Sequence, residues 1–204
     1  VPVNHTEAAK YFKMAADHGF TPGMYKYGCI VRSGEGVPSD KEEAARYFKM
    51  GADKGDTDSM NNYGVMLANG EGIEKNPEEA CRYFKMSADS GSKVGLYKYG
   101  CMLRDGEGIE QNEEEACRYF KLAIEKGQND ALVQYGLMIK EGRGVPENHE
   151  EAARCFKEAA DKGQANAMFM DGMILSKGDG VEENKEEAFQ YIKNAANKGH
   201  TDAI

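Results

Sequence analysis

The side chains of this chain best suited to metal ligation or nucleophilic chemistry are four histidines and five cysteines, and their spacing supports neither. His5, His18, His149 and His200 fall at helix starts and ends, with no HExxH and no Cys/His ligand spacing, so no metal site is expected. Cys29, Cys81, Cys101, Cys117 and Cys155 are odd in number and lie inside apolar stretches; they read as small hydrophobes in a reducing compartment, not as a disulfide framework. Glu78-Glu79 and Glu114-Glu115 have the composition of a glycosidase pair, but they sit in first turns of helices, where capping and the helix dipole account for them. Gly34-x-Gly36 lacks the third glycine of a dinucleotide loop, and no GxxxxGK[ST] phosphate loop is present. No Ser/His/Asp or Cys/His set stands out from the surrounding pattern. The expectation is therefore no catalytic residue, no metal, no cofactor and no enzyme. Asn4-His5-Thr6 is a weak glycosylation sequon.

With 40% hydrophobic residues and a net charge of −9, the chain is not built for nucleic acid or anionic membrane, which are bound by clustered Lys and Arg. No apolar run approaches the roughly 20 residues that span a bilayer, and no basic then apolar signal segment opens the sequence. A soluble protein of a reducing, cytoplasmic compartment is expected.

What the sequence does carry is a period. Gly28, Gly64, Gly100, Gly136 and Gly172 recur every 36 residues, as do Gly19, Gly55, Gly91, Gly127, Gly163 and Gly199, and so do the pairs Gly34/Gly36, Gly70/Gly72, Gly106/Gly108, Gly142/Gly144 and Gly178/Gly180. A fixed step of this length marks a solenoid, in which each copy buries its face against its neighbours.

Each copy resolves into two helices. Helix B starts after Asp40, or after Asn4, Asn76, Asn112, Asn148 and Asn184, each followed three residues on by Glu; this predicts an Asx cap with the Glu reaching back to the cap N–H. Ala44, Tyr47, Phe48, Gly51 and Ala52 give it one apolar face, and Gly55 ends it. Helix A runs roughly from Asp58 to Asn69, with Met60, Tyr63, Gly64 and Leu67 inward. A glycine in mid-helix costs about 0.5–1 kcal/mol relative to alanine, about 3–5 kcal/mol over five copies, so something must forbid a Cβ there. Close helix crossing is the expected cause. The Gly-x-Gly-Val/Ile turn between A and B reads as structural punctuation over an apolar plug.

The pattern small-x-x-x-Tyr-Gly-x-x-x-x-x-Gly-x-Gly-Val/Ile, then Asn/Asp-x-x-Glu-Ala-x-x-Tyr-Phe-Lys, runs through "NNYGVMLANGEGIEKNPEEACRYFKMSADSG" from Asn61 to Gly91. It resembles the Sel-1-like repeat, similar to the tetratricopeptide repeat but slightly longer. The resemblance covers the whole chain and implies an all-α fold, a right-handed α/α superhelical solenoid of helix pairs. It implies an adaptor or scaffold and no chemistry. The cysteine-rich branch of that family, linked to β-lactams and carrying one disulfide per repeat, is not matched: Ala16, Ala52 and Ala88, and Met24, Met60 and Leu96, stand where those cysteines are expected.

The expected organisation is one array over 1–204: a lone helix B at 1–20, repeats at 21–56, 57–92, 93–128, 129–164 and 165–200, and the start of a further helix A at 201–204, together a segment of a longer protein. Residues common to every copy hold the fold, so specificity is expected where helix A varies and faces away from helix B. The candidate partner-binding residues are Tyr25, Cys29, Arg32, Asn61, Asn62, Val65, Tyr97, Cys101, Arg104, Val133, Lys140, Phe169 and Met173, rich in types enriched at interface centres. In families like this one helix A lines the concave wall. The alternative is that these side chains only pack against the neighbouring helix A. The favoured function is a non-catalytic scaffold that binds a peptide, helix or protein. Two alternatives stand beside it: a regulatory or targeting module of a larger enzyme or signalling protein, and an architectural component that stacks end to end or in a larger assembly. No nucleic acid and no membrane insertion are expected.

Overall fold

The computed structural model describes residues 5–203. The expected cap and sequon residue Asn4, and Ile204, lie outside the described residues. Among the described residues there are eleven α-helices and one short 3-10 turn, with no strand. The chain divides into two compact units, Val1–Gln111 and Asn112–Ile204. The first holds α1 (His5–Asp17), α2 (Thr21–Ser33), α3 (Lys41–Ala52), α4 (Thr57–Asn69), α5 (Pro77–Asp89) and α6 (Lys93–Asp105). The second holds α7 (Glu113–Glu125), α8 (Asp130–Glu141), α9 (His149–Asp161), α10 (Ala165–Lys177), α11 (Lys185–Asn197) and the turn η1 (Thr201–Ala203). Odd-numbered helices are the B helices and even-numbered ones the A helices. Each packs on its neighbours in sequence within its unit, and in the first unit α2 also meets α4 and α4 meets α6, so the A helices form a layer. This is the α/α solenoid class.

The B helices start as the Asx caps predict. The side chains of Asp40, Asn76, Asn112, Asn148 and Asn184 each accept from the backbone N–H three residues on, at 2.9–3.1 Å. The reciprocal half of the box differs from expectation. The cap N–H of Asp40, Asn76, Asn148 and Asn184 donates to the carbonyls of Val31, Leu67, Ile139 and Leu175 at 2.8–3.1 Å, not to the glutamate. The turn folds each cap back onto the last turn of the A helix before it, where carbonyls lack an intrahelical partner. The glutamates of two repeats accept from the cap side chain instead, Asn76 to Glu79 at 3.5 Å and Asn184 to Glu187 at 3.0 Å.

What forbids a Cβ in mid-helix A is an aromatic edge at Gly28, Gly64 and Gly136, and Ile192 at Gly172. A Cβ on Gly64 would lie 2.7 Å from Phe84 Cε1, and one on Gly28 2.8 Å from Phe48 Cε1. Both phenylalanines are fully buried, so the ring has nowhere to go. The helices do approach closely, as expected, and the side chain of helix B is what fills the approach. Small residues also match across the next contact. A Cβ on Gly51 would sit 2.8 Å from Ser59 Cβ, while one on Gly95 would meet Ser87. These are the same two positions one repeat apart, with serine and glycine exchanged, so the joint keeps its volume.

The loop is more than punctuation. Gly72 has φ +72, and a Cβ there would lie 2.5 Å from the carbonyl oxygen of Lys41, on the helix B before it. Gly108, Gly144 and Gly180 press in the same way on the backbone of Pro77, Glu113 and His149. The second loop glycine is therefore the joint between one repeat and the first turn of the previous helix B.

Candidate functional site

The residue between the loop glycines forms a charged clasp on that same first turn. Glu35 pairs with His5 at 3.0 Å, Glu71 with Lys41 at 3.3 Å and Asp179 with His149; Arg143 pairs with Glu113 at 2.6 Å, with the charges inverted. Where Pro77 takes the basic place, Glu107 turns to Lys75 at 4.0 Å. A second ladder links B helices thirty residues apart. The Tyr47 hydroxyl donates to Asp17 Oδ1 at 2.6 Å and accepts from Lys13 Nζ at 2.7 Å; Tyr83 donates to Asp53 and Tyr191 to Asp161. Tyr47, Phe48, Tyr83 and Phe84 are core, as expected, with a tyrosine tip that is satisfied between repeats, whereas Tyr11 at the same register of α1 is 59% exposed.

On α2 the candidates Tyr25, Cys29 and Arg32 are half-buried. Burial pushes the Tyr25 phenol up to about 12 and also raises the Cys29 thiol, which makes that thiol a poor nucleophile near neutral pH. The Arg32 guanidinium forks onto Glu71, Nε to Oε1 at 3.1 Å and Nη2 to Oε2 at 2.6 Å, and its Nη1 reaches Asn62 Oδ1 at 3.3 Å. That fork holds Glu71 below the usual carboxylate range. Cys29, Arg32, Ser33, Lys41, Asn62 and Glu71 line a cleft of about 450 Å³.

One repeat on, Val65, Ala68 and Asn69 of α4 and Lys98, Cys101 and Met102 of α6 line a second cleft of about 190 Å³ with Phe84 and Glu107. Positions 29 and 65, 32 and 68, 62 and 98, and 71 and 107 are each 36 apart, so this is one cleft built twice. Ala68 in place of Arg32 removes the fork from the second cleft, where Lys98 and Glu107 are the charged lining residues. Tyr97 and Arg104 on α6 are half-buried, and Arg104 holds Asp105 through Nε and Nη2 at 2.7 Å each.

Two candidates are corrected. Asn61 and Val133 are only 5% and 4% exposed, too buried to line a wall. They share a register with Tyr25, Tyr97 and Phe169, whose larger side chains stay half-buried where the shorter ones are covered. Asn61 Nδ2 is turned to Ser92 Oγ at 3.2 Å, and Val133 belongs to the buried set of α8. In the second unit Lys140 pairs with Asp179 at 2.7 Å, Phe169 stacks on His200 at 4.7 Å between ring centroids, and Met173 is half-buried.

Among the described residues no group of His, Cys, Asp and Glu has the arrangement of a metal site, and the five cysteines are free. One buried titratable group belongs to none of these motifs. Asp171, 3% exposed, stands at the register of Tyr27, Tyr63, Tyr99 and Tyr135; the break in that column was its signal.

The Sel1 repeat model matches residues 1–20, 21–56, 57–92, 94–128, 129–164 and 165–200. The chain belongs to the Sel1 repeat family. Such repeats are in general protein-interaction scaffolds without catalytic chemistry of their own. Among solved structures the chain is similar to c5321, a protective antigen of uropathogenic Escherichia coli displaying an SLR fold, with a TM-score of 0.90 and 28% identity over 98% of this chain and 43% of that one. It thus spans less than half the length of that protein. It is similar as well to a Sel1 repeat protein from Oxalobacter formigenes, with a TM-score of 0.87 and 23% identity over 98% of this chain and 85% of that one. Helicobacter pylori cysteine rich protein B shares the fold at a TM-score of 0.50 and 19% identity, over 63% of this chain and 92% of that one. Comparison with curated proteins gives no match. Among the described residues no helix is long and apolar enough to cross a membrane.

Proposed function

We propose that the A-helix layer of the first unit is a docking wall for a segment of a protein partner, and that this Sel1 array acts as a non-catalytic scaffold. The observation that carries the reading is the doubled cleft. A feature repeated at the solenoid step, lined by the positions that vary between copies, is what an elongated partner needs. The two copies differ in chemistry. The first carries the Arg32–Glu71–Lys41 cluster, and the second carries Lys98 and Glu107 beside Val65 and Ala68. A partner segment with a polar contact at each cleft fits both. Tyr25 and Tyr97, one helical turn before Cys29 and Cys101, supply large contact area at low entropic cost.

The test is a change of charge that leaves the core alone. Val65→Arg combined with Lys98→Glu alters the second cleft at half-buried positions, and captured partners are compared with those of the unaltered chain at matched thermal stability. The proposal requires the loss of specific partners. Retention of the same set by a folded variant removes the wall from the account.

A further inference from the structure

Tyr63 lines a cavity of about 330 Å³ in the first unit, under the loop that joins α4 to α5. Buried Tyr63 and Leu67 form its floor, half-buried Ile73 and Glu79 its wall, and exposed Glu74 and Asn76 its rim, so the cavity is open to solvent. The Tyr63 side chain is only 7% exposed, its ring stands edge-on to Tyr83 at 4.9 Å between centroids, and among the described residues its hydroxyl makes no hydrogen bond. A buried hydroxyl without a partner costs its desolvation, and a ligand group that reaches it recovers that cost. Burial, aided by Glu79, raises the Tyr63 phenol, so the hydroxyl stays neutral and its oxygen can accept a hydrogen bond.

The sibling repeats show which group meets a tyrosine at this register. An ammonium from the preceding helix B lies over the ring in three of them: Lys13 over Tyr27 at 5.5 Å, Lys85 over Tyr99 at 5.9 Å and Lys121 over Tyr135 at 5.0 Å. The glutamate three residues after the next helix B cap completes the set. Lys13 Nζ lies 4.0 Å from Glu43, and the Tyr135 hydroxyl donates to Glu151 Oε1 at 3.3 Å. At Tyr63 the phenol and the glutamate, Glu79, are kept, but the equivalent lysine, Lys49, pairs with Asp53 at 2.9 Å, and among the described residues no ammonium lies over the Tyr63 ring. The loop adds a second acid. Glu74 stands where two other repeats have Pro38 and Pro146, and among the described residues it has no ion pair. Lys75, the cation among the lining residues, is turned to Glu107 at 4.0 Å.

We propose that this cavity takes the ammonium group of a lysine side chain from a protein partner, met by the Tyr63 hydroxyl and the Glu74 and Glu79 carboxylates. The chain's own lysines make the same contact in the sibling repeats, so the chemistry of the set is established within the molecule. A lysine also brings an alkyl stem, which suits a cavity with Leu67 on its floor and Ile73 on its wall. Among the described residues no group of His, Cys, Asp and Glu has the arrangement of a metal site, which favours an organic cation. The cavity shares no lining residue with either cleft of the A-helix wall, and neither proposal depends on the other.

The experiment follows the tyrosine ring carbons by NMR in the full chain, with Tyr63 assigned from the signal lost in Tyr63→Phe. The titrants are the peptide acetyl-Gly-Lys-Gly-amide, its neutral norleucine counterpart, its arginine counterpart and diaminobutane. The expected result is a saturable shift of Tyr63 with the lysine peptide and none with the norleucine peptide. Glu74→Lys alters an exposed rim position, and Tyr63→Phe keeps the ring against Tyr83, whose own shift then reports binding. Each variant should keep its helical circular dichroism and bind the lysine peptide at least about tenfold more weakly. A linear response in the unaltered chain, or unchanged affinity in either folded variant, overturns the proposal. Tighter binding of the arginine peptide overturns the assignment to lysine, and tighter binding of diaminobutane overturns the assignment to a partner side chain.

Discussion

Replacing Gly72 by alanine tests the joint between repeats, because two separable penalties meet there. The first is conformational: at φ +72 an alanine pays about 1–2 kcal/mol for the left-handed region. The second is steric: the new Cβ would lie 2.5 Å from the Lys41 carbonyl oxygen, and backbone cannot swing aside as a flexible side chain does. Forced overpacking of this kind costs about 1–3 kcal/mol. The stiffer unfolded chain returns about 0.4–1 kcal/mol, so Gly72→Ala should lose about 2–4 kcal/mol. Gly55→Ala is the internal control. Its φ is +89 but nothing lies within 4 Å of the added Cβ, so only the backbone penalty applies, a net loss of about 1 kcal/mol. With an m-value of about 1–3 kcal/mol per molar urea, the Gly72 variant should unfold roughly 1–3 M earlier than the unaltered protein. Urea unfolding followed by far-ultraviolet circular dichroism reads both. Equal losses at the two glycines would refute the joint, leaving the loop as the punctuation its sequence suggests.

Gly51→Ser alone should cost about 1–3 kcal/mol, since its side chain meets Ser59, and adding Ser59→Gly should recover most of it, as the native Ser87/Gly95 pair does; purely additive urea midpoints would contradict the matched joint. Glu71→Gln releases both Arg32 and Lys41 and should cost about 1–2 kcal/mol, a loss that shrinks when unfolding is repeated in 1 M NaCl, where exposed pairs are screened. The second unit should be more stable near pH 5 than near pH 8. His149 is raised by its hydrogen bonds to Glu147 and Asp179, so its contribution is complete below the ordinary histidine value and is lost as pH rises through the raised one. Asp171, raised to about 6, binds a proton in the folded state that the unfolded chain has released, so stability also falls as pH rises from about 4 to 6. His149→Lys should remove the upper part of this dependence and Asp171→Asn the lower part; unchanged urea midpoints across pH in the unaltered chain would remove both.

The elements within one repeat were legible because their causes are local. Asp40 and its counterparts cap, Gly55 ends a helix, and Tyr47 and Phe48 mark one face, all within a turn or two of chain. The joints between repeats were not, because their partners lie about thirty residues apart. Gly72 on Lys41, Tyr47 on Asp17 and Glu71 on Arg32 leave no trace in helical periodicity. A trace does exist in the columns of the repeat. The inverted pair Glu113/Arg143, read against Lys41/Glu71, announces a contact, and serine and glycine exchanging between 51/59 and 87/95 announce another. The expectation that Glu79 caps its helix start from behind failed because a nearer acceptor, the Leu67 carbonyl, is brought in by the fold. Within the candidate wall, Asn61 and Val133 were misjudged because register alone does not tell a long side chain from a short one.

The central claim is that the first unit binds through its A helices. Photo-crosslinking decides it most directly: benzoylphenylalanine placed at Val65 or Lys98, and for comparison at Met50 or Met86, which are exposed on the B helices. Crosslinks to the same partner from positions 65 and 98, with none from 50 and 86, are the result the account predicts. Crosslinks from 50 and 86 alone would put the partner on the opposite helices and contradict it.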